Sequence, residues 1–313
     1  MKRLNILVIG GTGYLGSNLV QSLVAKGYNV SVLFRGLSEK SKFKNVNYVK
    51  GDINNTKDIE KATKEANYVY YFASSTNPKS SENNLLFDIS SNLNPIILML
   101  NSCVKNNVKK FIFCSSGGTV YGNHKQMPIR EEFTCKPISS YGIVKHNMEM
   151  YIKYFNRKHN LNYEILRLSN PYGCNHLQNP IKGIIPTYIN RILEDRDLKV
   201  YGDGTVVRDY IYIDDFIQLC IKLLTLDKKN NTLNVGTGIG TSINELIKKI
   251  ELVCNKKATI SYMPSRDFDV HNNFLDITKV YDVYKWTPKI SLEKGLYKIL
   301  SLNEKKVNQS EKI

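Results

Sequence analysis

The sequence predicts an α/β fold, a doubly wound parallel sheet with a smaller mixed α/β unit behind it. Three observations point there. An apolar run at 4–9 breaks into Gly10-Gly11-Thr12-Gly13-Tyr14-Leu15-Gly16 and then into a helical pattern. Strand-like and helix-like segments alternate with short connections as far as Asn170, the pattern of a parallel sheet wrapped by helices. With 313 residues and 42% hydrophobic content, the chain can bury a large core without disulfide staples and is too apolar to be mainly disordered.

Residues 4–9 are apolar almost throughout, as suits a strand buried on both faces. Leu19, Val20, Leu23 and Val24 recur at helical spacing over 17–25, and Gly27 ends that helix. A strand is predicted at 30–34, Tyr48-Val49 leads into Gly51-Asp52, and a helix at 59–66 precedes a strand at 68–72. Then come a helix at 96–104, a strand at 110–114 running into Ser115-Ser116-Gly117-Gly118, a long helix at 139–159 and a strand at 163–168. Beyond Asn170 the alternation loosens. Pro171, Pro180 and Pro186 punctuate a loop-rich stretch, with helices at 185–193, 213–224 and 243–253, the last capped by Ser242. Residues 302–313 are polar and of mixed charge and read as a frayed, flexible tail.

Composition narrows the function classes. Lys and Arg number 44 against 28 Asp and Glu, a net charge of +16. The lysines are spread evenly among many asparagines, which reads as a solvated surface rather than a nucleic-acid site; the field would attract a small anionic substrate. Cys103, Cys114, Cys135, Cys174, Cys220 and Cys254 form no CxxC pair and have no histidine cluster nearby, so reduced thiols and no metal are expected. No apolar run approaches the roughly 18 residues of a membrane span. The charged-then-apolar start at Met1-Lys2-Arg3 is too short for a signal peptide and lacks a cleavage site. A cytoplasmic protein with no membrane partner is expected.

The glycine run reads as G-x-G-x-x-G from Gly11 or as G-x-x-G-x-x-G from Gly10. Missing side chains permit the tight turn, let the backbone approach a pyrophosphate, and leave the N–H groups of the following helix facing the phosphates. Placed between strand and helix, the run indicates a Rossmann-type dinucleotide site. Where NAD readers commonly carry an acid at the end of the second strand, this chain has Phe34 and Arg35. Arg35 could pair with the 2′-phosphate of NADP or stack over adenine. Asp52 could accept from the adenine amino group or make an ordinary turn.

Tyr141 and Lys145 lie four apart on a helix and so share a face. A nearby ammonium and an oxidised nicotinamide both favour phenolate over phenol, so the tyrosine can take a hydroxyl proton while hydride leaves the same carbon. The lysine can also hold the nicotinamide ribose. By itself this spacing is common in a chain with 20 Tyr and many Lys.

Taken with Ser115-Ser116-Gly117-Gly118-Thr119-Val120-Tyr121-Gly122, these motifs make the chain resemble the extended short-chain dehydrogenase/reductases. More narrowly, it resembles the NAD-dependent epimerase/dehydratase family acting on nucleotide sugars, in its UDP-glucose 4-epimerase group. Asn92, Asn170-Pro171-Tyr172-Gly173, Gly202-Asp203-Gly204, Val207-Arg208-Asp209-Tyr210 and Trp286-Thr287-Pro288 follow in the family's order. The resemblance implies NAD as cofactor, with contacts from Gly10, Gly13, Tyr14, Leu15, Gly16, Arg35, Asp52, Ile53, Phe72, Ala73, Asn92, Tyr141, Lys145 and Pro171. It places a UDP- or GDP-linked sugar against Asn170, Ile185, Tyr201, Arg208, Arg266 and Asp269. Arg208 and Arg266 would grip phosphate, Asp269 the nucleotide ribose and Tyr201 the base, which suits forked guanidinium groups and a diol-binding carboxylate.

Three departures from the family pattern matter. Where the family has a Ser or Thr hydroxyl that meets the reacting sugar hydroxyl, this chain has Gly117, so Ser116, Thr119 or a water must substitute. The Asp-Glu pair of the 4,6-dehydratases is replaced by Gly118 and Thr119, which removes the acid and base that elimination needs. Phe34 and Arg35 depart from the acidic NAD signature. The expectation is oxidation at C4 through a 4-keto species, net 4-epimerisation, and a role in surface polysaccharide precursors. Alternatives are a net 4-dehydrogenase, an NADPH-dependent 4-ketoreductase and a non-catalytic dinucleotide-binding scaffold. Residues 1–170, with a returning segment near 205–238, are expected to bind NAD; 171–204 and 239–301 are expected to bind the nucleotide sugar. Helices 96–104 and 139–159 match those that pair in family dimers, so a homodimer is expected.

Overall fold

The computed structural model describes residues 4–36, 43–173, 183–226, 228–267 and 269–310, the last nine of these as backbone only. Pro180 and Cys174 fall outside the described residues. In chain order the elements begin with β1 (Asn5–Ile9), α1 (Tyr14–Ala25), β2 (Asn29–Phe34), β3 (Val46–Lys50), α2 (Thr56–Thr63) and β4 (Tyr68–Tyr71). They continue with α3 (Pro78–Asn83), α4 (Leu85–Lys105), β5 (Lys110–Ser116), α5 (Ser140–His159), β6 (Tyr163–Leu168), β7 (Asn170–Tyr172) and α6 (Ile184–Leu193). Next are β8 (Leu198–Tyr201), β9 (Val207–Arg208), β10 (Tyr210–Tyr212), α7 (Ile213–Thr225), β11 (Asn231–Val235), β12 (Thr241–Ser242) and α8 (Ile243–Cys254). The last are β13 (Ile260–Met263), β14 (Asn272–Asn273), α9 (Thr278–Tyr284) and α10 (Leu292–Ser310).

Seven strands form one parallel sheet in the order β11-β6-β5-β4-β1-β2-β3. The order reverses at β1, so a crevice opens beyond the carboxyl ends of β1 and β4, where doubly wound sheets bind ligands. Both faces are covered by apolar clusters. Leu19, Val20, Leu23, Phe216 and Leu219 fill one, while Ile96, Met99, Val144, Met148 and Ile152 fill the other. The fold is the α/β doubly wound one expected. Short sheets follow it: β10 beside β7, β9 between β12 and β14, and β13 beside β8.

Several boundaries differ from expectation for identifiable reasons. Helix α2 starts at Thr56 rather than 59, because the Asn55 side chain accepts from the Lys57 and Asp58 N–H groups at 2.9 and 3.3 Å. Helix α4 runs through Pro95 instead of starting at 96. The proline leaves the Ser91 carbonyl without its helical donor, and Ser75 Oγ donates to that carbonyl at 3.3 Å. Strand β11 was not expected, since Asn231, Thr232 and Asn234 dilute its apolar signal. Residues 302–310 continue α10 as helix where a frayed tail was expected; the segment holds helix-forming Leu, Glu and Lys and no Gly or Pro.

Glu164, fully buried in β6, accepts from Tyr284 Oη at 2.8 Å and Asn231 Nδ2 at 3.1 Å. Burial pushes its carboxyl up from 4.5 to about 7. Between those two values the folded chain holds a proton that the unfolded chain has lost, so stability falls as pH rises through that window and stays lower above it. Glu164→Gln is expected to flatten this slope and to melt above the parent at pH 8; a melting temperature with the parent's pH dependence would contradict it.

Candidate active site

The glycine turn between β1 and α1 brings backbone against backbone. Gly10 has φ +82°, and a Cβ there would lie 2.7 Å from the Ala73 nitrogen and 2.9 Å from the Phe72 carbonyl carbon. A Cβ on Gly16 would collide with the Gly10 carbonyl oxygen. Gly13 ends the turn, its N–H on the Gly10 carbonyl at 2.9 Å, and caps α1 without any side-chain acceptor. No acidic residue lies in the first turn of α1, so that end suits a negatively charged ligand.

A groove of about 500 Å³ opens beside this turn, lined among others by Gly10, Gly13, Arg35, Ile53, Phe72 and Ala73. These residues fit a dinucleotide: close-approach glycines for the pyrophosphate, apolar walls for the rings, and an exposed guanidinium at the end of β2. Tyr14 and Leu15 form the first turn of α1 and pack on the core. Two expected contacts take other partners. Asp52 Oδ1 accepts from the Asn54 N–H (2.8 Å) and Nδ2 (3.0 Å), an ordinary Asx-turn. The Asn92 amide is enclosed: Nδ2 donates to Thr76 Oγ1, the Asp88 carbonyl and Asp88 Oδ1 at 2.9–3.1 Å, and Oδ1 accepts from the Ser75 N–H at 2.9 Å. Asn92 therefore shapes the 75–76 loop of the groove from behind.

Tyr141 and Lys145 share the face of α5 that meets the end of β5. Lys145 is buried, with Nζ donating to the Cys114 carbonyl at 3.1 Å and lying 5.6 Å from the Tyr141 ring centre. Tyr141 is half-buried. The start of α5 is held by acceptors that the sequence reading missed. Ser139 Oγ accepts from Gly142 N–H (3.2 Å), Glu82 Oε1 from Ser140 N–H (2.8 Å) and Ser81 Oγ from Tyr141 N–H (3.2 Å). Ser140 Oγ in turn donates to buried Asp88 at 2.7 Å. The helix-start dipeptide Asn77-Pro78 was the available signal for α3.

One turn beyond Lys145 on the same face, Glu149 pairs with buried Arg167, Nη2 to Oε2 at 2.7 Å, and accepts from Ser115 Oγ at 2.5 Å. Despite the opposing effect of burial, the His146, Arg167 and Ser115 partners hold the Glu149 carboxyl down at about 2. The pair ties α5 to β5 and β6 behind the reactive face. Ser116 ends β5, half-buried, and Thr119 Oγ1 is buried without a hydrogen-bond partner in the protein. Gly117 is close-packed: a Cβ there would meet Leu275 Cδ1 at 2.6 Å and the Arg167 carbonyl oxygen at 2.8 Å.

Of the expected substrate residues, Asn170, Tyr201 and Arg208 sit on the short sheets, Arg266 and Asp269 between β13 and β14, and Ile185 on α6. Asn170 N–H and Nδ2 both donate to the Asp209 carbonyl, at 2.9 and 3.0 Å. Its neighbour Pro171 pairs with Ile211 across the β7–β10 pair. Arg208 sits in β9; burial lowers its guanidinium pKa while Asp269 opposes the shift. Arg266 lies 3.3 Å over the Tyr201 ring, and its hydrogen bond holds the exposed Tyr201 phenol below its usual range. Asp269 N–H donates to the Arg266 carbonyl at 3.1 Å, closing the loop that carries both. Ile185 is different. It lies at 1% exposure on the inward face of α6 with Tyr188, Ile189 and Ile192, so its side chain belongs to the core and not to a ligand surface. Among the described residues no group of His, Cys, Asp and Glu could hold a metal, and no helix is long and apolar enough to cross a membrane.

Known proteins are similar to this chain in fold and sequence. The UDP-glucose 4-epimerase of Thermotoga maritima, solved with UDP-glucose, superposes with a TM-score of 0.91 at 32% identity, over 97% of this chain and 100% of that one. The UDP-glucose 4-epimerase of Thermus thermophilus, solved with NAD, gives 0.87 at 27% identity over 95% and 98%. The dTDP-4-dehydro-6-deoxyglucose reductase of Escherichia coli is 28% identical over 94% of this chain and 96% of its own length. Residues 6–236 match the family described as NAD dependent epimerase/dehydratase, and with the glycine turn, the Tyr141–Lys145 face and the reversal at β1 in place, the chain belongs to that family.

Proposed function

We propose that the protein is an NAD-dependent 4-epimerase of a UDP-linked sugar, working through a 4-keto species and supplying a building block for surface polysaccharide, as the family resemblance implies. The observation that carries this reading is the shared face of Tyr141 and buried Lys145 beside the end of β5, in a fold whose glycine turn opens a groove that fits a dinucleotide. Bound NAD supplies reversible hydride transfer at C4. Gly10 and Gly16 keep the turn tight by close backbone packing and Gly13 lets the backbone approach the pyrophosphate, while Arg35 borders the groove. Tyr141 removes the proton from the C4 hydroxyl and returns it, with Lys145 Nζ 5.6 Å from its ring centre. Arg208 and Arg266 hold the diphosphate, Asp269 the nucleotide ribose, Tyr201 the base and Asn170 the sugar side of the tether. Ser116 and Thr119 carry the hydroxyls that flank Gly117 and Gly118 in the sequence.

The test uses purified protein. Denaturation should release NAD, identified by mass, and incubation with UDP-glucose or UDP-galactose should convert each into its C4 epimer. Release of NADP, or no inversion at C4 of any UDP-sugar supplied, would overturn the proposal. One observation favours a second reading. With no side chain at Gly117 and the space closed by Leu275, the keto sugar has fewer partners and could leave before hydride returns, making the enzyme a net 4-dehydrogenase. That reading expects a 4-keto product together with reduced-nicotinamide absorbance.

A homodimer is part of the proposal. Ile143, Met150 and Tyr154, at positions i, i+7 and i+11 of α5, form an exposed apolar stripe with Tyr151 beside it, wider than isolated surface residues explain. Sedimentation at micromolar concentration should give the dimer mass, and Met150→Glu should shift it toward monomer; a monomeric parent would refute the pairing.

A further inference from the structure

We infer that Asn273 is a positioning residue for the reaction. It holds the Gly117 turn that lies between Ser116 and Thr119. The inference rests on the proposed reaction at Tyr141.

Asn273 has no exposed surface, and its Nδ2 donates to the Gly117 carbonyl at 2.9 Å across a sequence separation of 156 residues. Gly117 is held on its other side as well, its N–H donating to the Leu168 carbonyl of β6 at 2.8 Å. The turn then closes on itself, with the Thr119 and Val120 N–H groups both on the Ser116 carbonyl at 3.3 and 3.1 Å. Leu275, two residues beyond Asn273 and also fully buried, fills the space a side chain at 117 would need. The segment 273–275 thus holds residue 117 twice over, by the packing of Leu275 and by the Asn273 hydrogen bond. A glycine in a turn is free to adopt many backbone angles. Without the Asn273 bond the Gly117–Gly118 peptide could rotate, and the turn that fixes the Ser116 and Thr119 side chains would loosen.

The same strand carries a second consequence. Asn273 pairs in register with Arg208 across β14 and β9, so the residue proposed to grip the diphosphate and the residue that holds the catalytic turn are neighbours on adjoining backbone. Tethering of the substrate and placement of the hydroxyls share one rigid piece, which is the arrangement that converts remote binding into rate.

The test compares Asn273→Ala and Asn273→Asp with the parent, using UDP-glucose as probe. Both variants remove the donor, but the aspartate keeps the shape and sets an acceptor against the Gly117 carbonyl. Expected is a fall in kcat of about 10–100-fold in both, with the aspartate at least as low as the alanine, KM within about threefold, and faster hydrogen–deuterium exchange at the Thr119 and Val120 amides. Bound cofactor and melting temperature are measured alongside. If Asn273 only fills space, the aspartate should retain near-parental kcat; that result, or unchanged exchange at 119–120 in both variants, would overturn the inference. Should the aspartate fail to fold, the alanine decides alone through the split between kcat and KM together with the exchange rates. A parent that turns over no UDP-sugar would instead count against the proposed reaction itself.

Discussion

Tyr141→Phe is expected to lower kcat about a thousandfold, within the range that a positioned acid–base group supplies, while the cofactor stays bound. The substitution removes one oxygen and leaves the scaffold untouched. The backbone of residue 141 remains on Ser81 Oγ, and its neighbours Ser140 and Gly142 remain on Glu82 and Ser139. The ring still lies beside Lys145 Nζ, whose bond to the Cys114 carbonyl does not involve the phenol oxygen. KM should move little, because the lost interaction is made to the reacting hydroxyl in the transition state. A variant within tenfold of the parental kcat would remove Tyr141 from the proton transfer.

The second large effect is on stability. Glu149→Gln is expected to destabilise the fold by about 3–5 kcal/mol, the typical cost of leaving a buried charge without its partner. Arg167 is 3% exposed and donates to Glu149 from both Nε and Nη2. Its remaining bonds, to Tyr121 Oη at 2.8 Å and the Glu131 carbonyl at 3.3 Å, carry no full opposite charge. Replacing both members with apolar side chains, as in Glu149→Leu with Arg167→Met, should recover most of the loss. Equilibrium unfolding in urea reads both variants. A single variant within 1 kcal/mol of the parent, on the order of an exposed pair's contribution, would show that the pair is hydrated in solution.

Local signals in the sequence locate the sheet and the reactive helix well, because each rests on a short-range pattern. The run at 4–9 followed by close-packed glycines permits little other than a strand, tight turn and helix. The four-residue interval from Tyr141 to Lys145 puts both on one helical face whatever the remainder of the chain does. Long-range contacts are less legible. The Asn92 amide turns inward because Thr76, Asp88 and Ser75 enclose it, and none of them is marked by its place in the sequence. Ile185 satisfies a positional match and yet faces the core, since the inward stripe of α6 decides its direction. Strand β11 and the brief β14 lack an apolar run and exist through pairing with β6 and β9. For the same reason Asn273 could not be singled out in advance: nothing between residues 117 and 273 announces that they touch.

The most direct test follows the hydrogen at C4. UDP-galactose deuterated at C4 is incubated with the purified enzyme in ordinary water, and both sugars are examined by nuclear magnetic resonance at partial conversion. Abstraction and return of hydride within one site, with Tyr141 handling only the hydroxyl proton, predicts UDP-glucose that keeps its deuterium at C4. Deuterium lost to water during the interconversion would contradict that route.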